Sequence, residues 1–125
     1  MNNTFNKFLW KGKIDITEYT EGEEHYITLR EPNTAEMKEL AKMESLIKTS
    51  DEKNETENFV EATEKFADAC NTLIVDHNFF TEEENPQKLP SKEVAAFLKS
   101  KIALVQYVMQ EYMTSLPLVR KNAKK

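Results

Sequence analysis

The stretch that decides the fold is YITLREPNTAEMKEL, residues 26–40. It begins as an alternation in which Ile27 and Leu29 face one way and their polar neighbours face the other, which is typical of a half-buried β-strand. Pro32 ends that strand, because proline has no backbone N–H for the ladder and disfavours helical geometry at the residue before it. A helical pattern follows, so the stretch predicts a strand-to-helix corner.

The first turn of that helix carries its own start signal. Asn33 and Glu36 fit the capping-box pattern, in which the Asn33 side chain accepts from the N–H of Glu36 and the Glu36 side chain accepts from the N–H of Asn33. Arg30 and Glu31 are left at the bend, either solvated or paired locally, where an exposed ion pair contributes little. The corner therefore predicts architecture rather than chemistry.

On the N-terminal side of the corner the sequence predicts a β-hairpin over residues 11–31. Ile14 and Ile16 alternate with polar residues, and Gly22 stands in the connection, where glycine is free to adopt positive φ. An isolated hairpin is marginal in water, so its apolar face is expected to lie on another element. Residues 1–10 precede it as an aromatic arm.

On the C-terminal side, helical spacing predicts about three helices over residues 33–116. The first helix ends near Lys48, residues 49–57 form a polar linker, and a second helix carries a heptad-like seam at Phe59, Ala62, Phe66, Ala69 and Leu73. An irregular connection follows, and then a long last helix with two apolar rows. One row is Val94, Leu98, Ile102, Val105, Met109, Tyr112 and Leu116, and the other includes Phe97, Leu104 and Val108.

Together these patterns predict an α+β, mostly α fold, with an N-terminal β-hairpin followed by about three helices packed as a small bundle. A length of 125 residues corresponds to a single domain over residues 1–125, which ends in a basic tail at residues 117–125.

The net charge of −5 conceals an uneven distribution. Residues 18–84 hold 19 acidic and 6 basic side chains, a net charge of −13, whereas the rest hold 3 acidic and 11 basic ones, a net charge of +8. An acidic body argues against a nucleic-acid groove, which requires a basic face. The charges either serve solubility or, as basic ends on an acidic body, assist self-association or docking.

The composition also predicts where the protein works. A single cysteine excludes an internal disulfide framework and fits a reducing compartment. No apolar run reaches the roughly 20 residues of a membrane span, and the N-terminus has no secretory signal pattern. We therefore expect a cytoplasmic protein without a membrane partner.

The residues that could carry chemistry form no recognisable active site. Cys70 and His77 lie seven positions apart on the predicted second helix, but acids near Cys70 would make its thiol less reactive, and a buried structural thiol is the alternative. The acids at 82–84 match no compact metal-ligand spacing, and no glycine-rich phosphate loop is present. The sequence predicts a protein that is not an enzyme, with no catalytic residue, metal or cofactor.

What remains is a surface for recognition by aromatic and apolar side chains, which anchor many protein interfaces. The alternatives are that Phe79 and Phe80 plug the end of the bundle, and that the wide apolar surface of the last helix is the centre of the fold rather than an oligomer seam. The candidate partner-binding residues are Phe5, Phe8, Trp10, Phe79, Phe80, Phe97, Leu104 and Val108.

The corner also resembles a known family. Leu29-Arg30-Glu31-Pro32, followed by Thr34 and Glu36, is similar to the "LREPT-x-x-E"-like junction that follows the N-terminal hairpin in small cytosolic tail assembly chaperones of long-tailed bacteriophages. This chain has an extra residue, Asn33, where the family pattern often places the threonine directly after the proline.

That resemblance implies a function for a phage or prophage protein. It implies a non-enzymatic chaperone that binds the tape-measure protein and also helps recruit tail-tube subunits. It further implies a homo-oligomer that acts in the cytoplasm of the bacterial host and is absent from the mature virion. The alternative is a phage structural component, such as a head–tail connector or tail completion protein.

Overall fold

The computed structural model describes residues 10–48 and 55–116, and it describes the side chains of all of these except residues 46–48 and 55. The strands are β1 (Lys11–Asp15), β2 (Tyr26–Arg30) and β3 (Ile74–His77), and the helices are α1 (Thr34–Lys48), α2 (Glu55–Leu73), α3 (Ser91–Lys99) and α4 (Ile102–Ser115). The fold is α+β and mostly α, as the sequence predicts. Of the predicted arm at residues 1–10, only Trp10 is described, and the predicted basic tail at 117–125 lies outside the described residues.

Strands β1 and β2 form the predicted antiparallel hairpin, in a register that pairs Ile14 with Ile27. The connection between them contains positive φ angles at Glu21 (55°) and Gly22 (82°). Ile14, Ile27 and Leu29 are buried on one face, as the alternation predicts. The hairpin therefore presents one apolar face to the helices.

A third strand stands where the sequence predicts the end of the second helix and a purely helical region. Strand β3 pairs antiparallel with the open side of β2, so that Ile27 lies opposite His77, with an irregularity in register between Thr28 and Leu29. The prediction was wrong because Ile74 and Val75 also extend the apolar face of α2. Their branched side chains suit a strand, and β2 offers an unpaired edge.

Helix α2 is the centre of the fold, since it contacts α1, α3, α4, β2 and β3. Its predicted seam faces the core, with Ala62, Phe66 and Leu73 buried. The helix begins at Glu55, so residues 55–57 are helical rather than part of the predicted linker, whose remaining residues 49–54 lie outside the description. Along α1, Leu40 and Met43 form the buried part of the predicted stripe.

The predicted long last helix is broken into α3 and α4, so the described residues form four α-helices instead of about three. At the break, the Ser100 hydroxyl donates to the Phe97 carbonyl at 2.6 Å, and Lys101 is extended, with φ −129° and ψ 99°. A serine that bonds to the backbone competes with continued helix formation. Neither proline nor glycine stands at this site, so the local sequence does not predict the break.

Around the break, both apolar rows contribute to the core. Val105 and Tyr112 of the first row are buried, as are Leu104 and Val108 of the second, whereas Ile102 is 46% exposed. Splitting the helix lets α3 pack on α2, while α4 packs on both α2 and β1. The wide apolar surface that one straight helix would expose is thus largely buried within the chain.

The connection between β3 and α3, which we call the β3–α3 arm, is irregular as predicted, but one antiparallel bridge between Phe80 and Lys88 folds it back on itself. The Thr81 N–H donates to the Gln87 carbonyl at 2.9 Å, and the Leu89 N–H donates to the Phe79 carbonyl at 3.0 Å. The acids at 82–84 are exposed at its tip.

Candidate functional site

The strand-to-helix corner is built as a network of hydrogen bonds. Both capping-box bonds between Asn33 and Glu36 are present at 2.8 Å. Arg30 forms a two-pronged ion pair with the Glu36 carboxylate, with both N–O distances 2.8 Å. This pair lowers the pKa of Glu36 and raises the pKa of Arg30. Arg30 is thus paired locally, which was one of the two predicted alternatives.

Glu31 ties the same corner to the start of β1. Its N–H donates to the Trp10 carbonyl at 2.8 Å, and its carboxylate accepts from the Trp10 N–H at 2.9 Å. The indole of Trp10 is half-buried, 6.3 Å from the ring of Tyr112, and covers Gly12 so closely that a Cβ there would lie 2.4 Å from a ring carbon. Trp10 is therefore partly committed to the fold, whereas Phe5 and Phe8 lie outside the described residues.

The aromatic candidates around the β3–α3 arm divide into packed and exposed residues. Phe79 stacks on His25 with ring centroids 4.3 Å apart and contacts Phe97 at 5.6 Å, and both phenylalanines are half-buried. Phe80, in contrast, is 49% exposed beside its bridge partner Lys88. The adjacent phenylalanines thus have different environments, and Phe80 is the one that offers surface to a partner.

The prediction that Leu104 and Val108 bind a partner is wrong. Both are fully buried in the hydrophobic core. The helix break at Lys101 turns them inward, so they have no surface with which to contact a partner or a second copy of the chain.

Cys70 and His77 do not form a nucleophile and base. The Cys70 thiol is buried, and burial raises its pKa to about 12. His77 is also buried, with Nε2 2.9 Å from the Leu89 carbonyl and Nδ1 accepting from the Phe79 N–H at 3.0 Å. These two contacts assign the proton to Nε2 and occupy both ring nitrogens. The imidazole therefore holds the β3–α3 arm in place through hydrogen bonds to Phe79 and Leu89.

The carboxylates in the described part of the chain do not gather into a metal site. Within residues 10–48 and 55–116, no group of three His, Cys, Asp or Glu side chains could hold a metal ion. Asp76 in β3 is paired with Lys88 and accepts from the Tyr26 hydroxyl at 3.1 Å. The bond to Lys88 is the main reason why the pKa of Asp76 is lowered.

A methionine-lined groove between α1, α2 and α4 is the candidate site. It has a volume of about 420 Å³, within the roughly 300–1,000 Å³ range of ligand pockets. We call it the Met groove; its lining residues are Leu40, Met43, Glu44, Phe59, Gln106, Met109, Gln110, Met113 and Thr114.

The Met groove was not predicted from the sequence. Phe59 and Met109 were assigned to apolar seams, where they would be core residues, yet Phe59, Met109 and Met113 are only half-buried. Three helices from distant parts of the chain meet there without closing over it. The available signal was the group of three methionines, since flexible thioethers recur at adaptable binding surfaces.

A second concavity, of about 340 Å³, lies between β1 and α4 near Trp10. The Tyr107 hydroxyl crosses toward β1 and donates to the Asp15 carbonyl at 3.1 Å. The Tyr112 hydroxyl, which also lines this region, is engaged with the Arg30 carbonyl. Its tyrosine hydroxyl groups therefore serve the fold.

Comparison of the chain with protein-family models, with curated proteins and with solved structures gives no match. Within the described part of the chain, no helix has both the length and the apolar character of a membrane span.

Proposed function

We propose that this protein is a non-enzymatic tail assembly chaperone of a long-tailed bacteriophage or prophage. It binds the tape-measure protein in the cytoplasm of the bacterial host, keeps it soluble and assists tail assembly, with tail-tube subunits as a second partner. The observation that carries the proposal is the Met groove, an apolar surface on an otherwise acidic body.

Two further observations support this proposal. The residues that carry the family resemblance form a strand-to-helix corner, in which Arg30 pairs with Glu36 and Asn33 caps α1. The two side chains best suited to nucleophilic chemistry, Cys70 and His77, are buried in structural roles. A protein with these features is better suited to binding than to catalysis.

Co-expression with the tape-measure protein of the same genome tests the proposal. We expect a complex that survives affinity purification, and a larger soluble fraction of the tape-measure protein than in its absence. Another long coiled-coil protein from the same host serves as the control client. Absence of a complex together with an unchanged soluble fraction would contradict the proposal.

Two observations outside the protein add to this test. The gene is expected to lie between the genes for a tail-tube protein and a very long coiled-coil protein. Mass spectrometry of purified phage particles is expected to find no copy of this chain. If the particles contain it in stoichiometric amount, the alternative of a head–tail connector or tail completion protein is favoured instead.

Self-association is a separate part of the proposal. The basic ends and acidic body of the sequence support it, since opposite charges on two copies attract. The row containing Leu104 and Val108 cannot form the seam, because these residues lie in the core. Light scattering at tens of micromolar is expected to detect an oligomer. A monomer under these conditions would contradict self-association.

A further inference from the structure

We infer that the Met groove binds one amphipathic α-helix of a partner, and that lysine or arginine residues flank the apolar face of that helix. This inference rests on the proposed function and deepens it, because it names the kind of client segment and the surface that receives it.

The dimensions of the groove fit a helix. Its wall on α4 runs from Gln106 to Thr114, which is about 12 Å at 1.5 Å per residue. Apolar anchors at positions i, i+3 or i+4, and i+7 of a bound helix span about the same length. Two turns of a partner helix can therefore place their apolar side chains along the groove.

The chemistry of the lining favours a helix over an extended peptide. Five of the nine lining residues are apolar, and the neutral polar ones, Gln106, Gln110 and Thr114, all belong to the α4 wall. An extended peptide would need partners for its backbone N–H and C=O groups along both sides of the groove. A helix satisfies most of these groups internally and presents only side chains.

Charge selects among possible helices. Residues 10–48 and 55–116 carry 20 acidic and 11 basic side chains, a net charge of −9. Glu44 lines the groove itself, and the exposed face of α2 adds Glu57 and Glu64, whereas Glu61 and Asp68 on that face pair with Lys65 and Lys99. A helix with basic flanks is attracted to such a body.

The probes for the test are two synthetic peptides of about 18 residues, or five helical turns. Both carry the same leucine-rich apolar face, but one has lysine flanks and the other has glutamate flanks. Binding to the full chain is measured by fluorescence anisotropy. We expect the lysine peptide to bind at least about tenfold more tightly, and to weaken as the salt concentration rises from about 50 to about 500 mM.

Two variants assign this binding to the groove. Met109→Gln removes an apolar lining side chain and is expected to weaken binding of the lysine peptide about tenfold. Gln110→Lys adds a positive charge on the exposed wall without touching the core. It is therefore expected to weaken binding of the lysine peptide and to strengthen binding of the glutamate peptide. Ile102→Gln is the matched control, because Ile102 is an exposed apolar residue of α4 outside the groove.

Equal binding of the two peptides to the wild type would overturn the inference. It would also be overturned if Gln110→Lys bound both peptides with the same affinities as the wild type. A dimer of the chain that Gln110→Lys dissociates would also overturn it, because a second copy would then be the occupant. If the tape-measure protein is captured equally by the wild type and by both groove variants, the groove inference fails while the proposed function stands. If the peptides behave as expected but the tape-measure protein is not captured, the proposed function fails and the groove inference stands.

Discussion

The hydroxyl of Tyr112 in α4 donates a hydrogen bond of 2.7 Å to the carbonyl oxygen of Arg30 at the end of β2. Arg30 has no partner in β3, because the pairing of β2 with β3 ends at Leu29 and Ile74. The last helix thus supplies a bond that the sheet does not. Tyr112 is fully buried, and burial raises the pKa of its hydroxyl well above the ordinary range.

Tyr112→Phe is expected to lower the free energy of unfolding by about 1–2 kcal/mol, because the Arg30 carbonyl loses its donor in a buried setting. Urea denaturation followed by circular dichroism measures this change. Tyr19→Phe is the control, since the Tyr19 hydroxyl makes no hydrogen bond to another described residue, and it should change stability by less than about 0.5 kcal/mol. Equal losses in the two variants would show that the bond to Arg30 contributes nothing.

The Arg30–Glu36 pair predicts a dependence of stability on pH. The hydrogen bonds from Arg30 lower the pKa of Glu36 in the folded state, so the unfolded chain binds the proton more readily. The contribution of Glu36 is therefore complete above its unfolded pKa of about 4.3 and is lost as the pH falls through the lower folded pKa.

Glu36→Gln tests this dependence, because glutamine keeps the shape of the side chain without the charge. We expect the variant to be less stable than the wild type by about 1 kcal/mol near neutral pH, and this difference to shrink at about pH 3. Urea unfolding at both pH values gives the comparison. Glu39→Gln, at an exposed pair with Lys42, is the control and should have little effect. A difference that grows on acidification would contradict the assignment.

Cys70 is expected to be unreactive in the folded protein. The thiol is buried and its pKa is raised to about 12, so very little thiolate is present at neutral pH and reagents cannot reach it. Labelling with a thiol-specific chromogenic reagent should therefore follow the unfolded fraction as urea increases. Complete labelling in the absence of denaturant, at the rate of a small-molecule thiol, would contradict this prediction.

His77→Phe is expected to destabilise the fold by about 2–3 kcal/mol, because it leaves the Phe79 N–H and the Leu89 carbonyl without their imidazole partner. Hydrogen exchange should show greater loss of protection in the β3–α3 arm than elsewhere. His25→Phe retains an aromatic ring against Phe79 and serves as the control. Unchanged protection of the arm in His77→Phe would indicate that the imidazole does not fasten it.

Local patterns in the sequence predicted the elements whose signals lie within a few residues. The alternation around Ile14 and Ile27 was sufficient for the hairpin, and Asn33 with Glu36 was sufficient for the start of α1. The third strand was missed, because Ile74 and Val75 fit a helix face as well as a strand. What separates these alternatives is the open edge of β2, more than forty residues earlier in the chain.

The candidate site depended almost entirely on contacts between distant elements. Met109 and Phe59 were recognised as apolar, but their spacing alone could not show that they would stay half-exposed. Leu104 and Val108 were assigned to a surface, because periodicity assumed one straight helix through Lys101. In the structure the helix breaks there, and Leu104 and Val108 lie in the core while Ile102 is exposed.

By itself, the sequence determined the strand-to-helix corner of YITLREPNTAEMKEL, the apolar faces of the hairpin and of α2, and an acidic charge balance. Proline geometry, helix capping and hydrophobic periodicity act over a few residues, so they can be recognised from neighbouring residues alone. Only the tertiary structure decided the third strand, the break at Lys101, the bond from Tyr112 to Arg30 and the Met groove. Each of these depends on which surfaces remain unpaired after the other elements have packed, and that is a property of the whole fold.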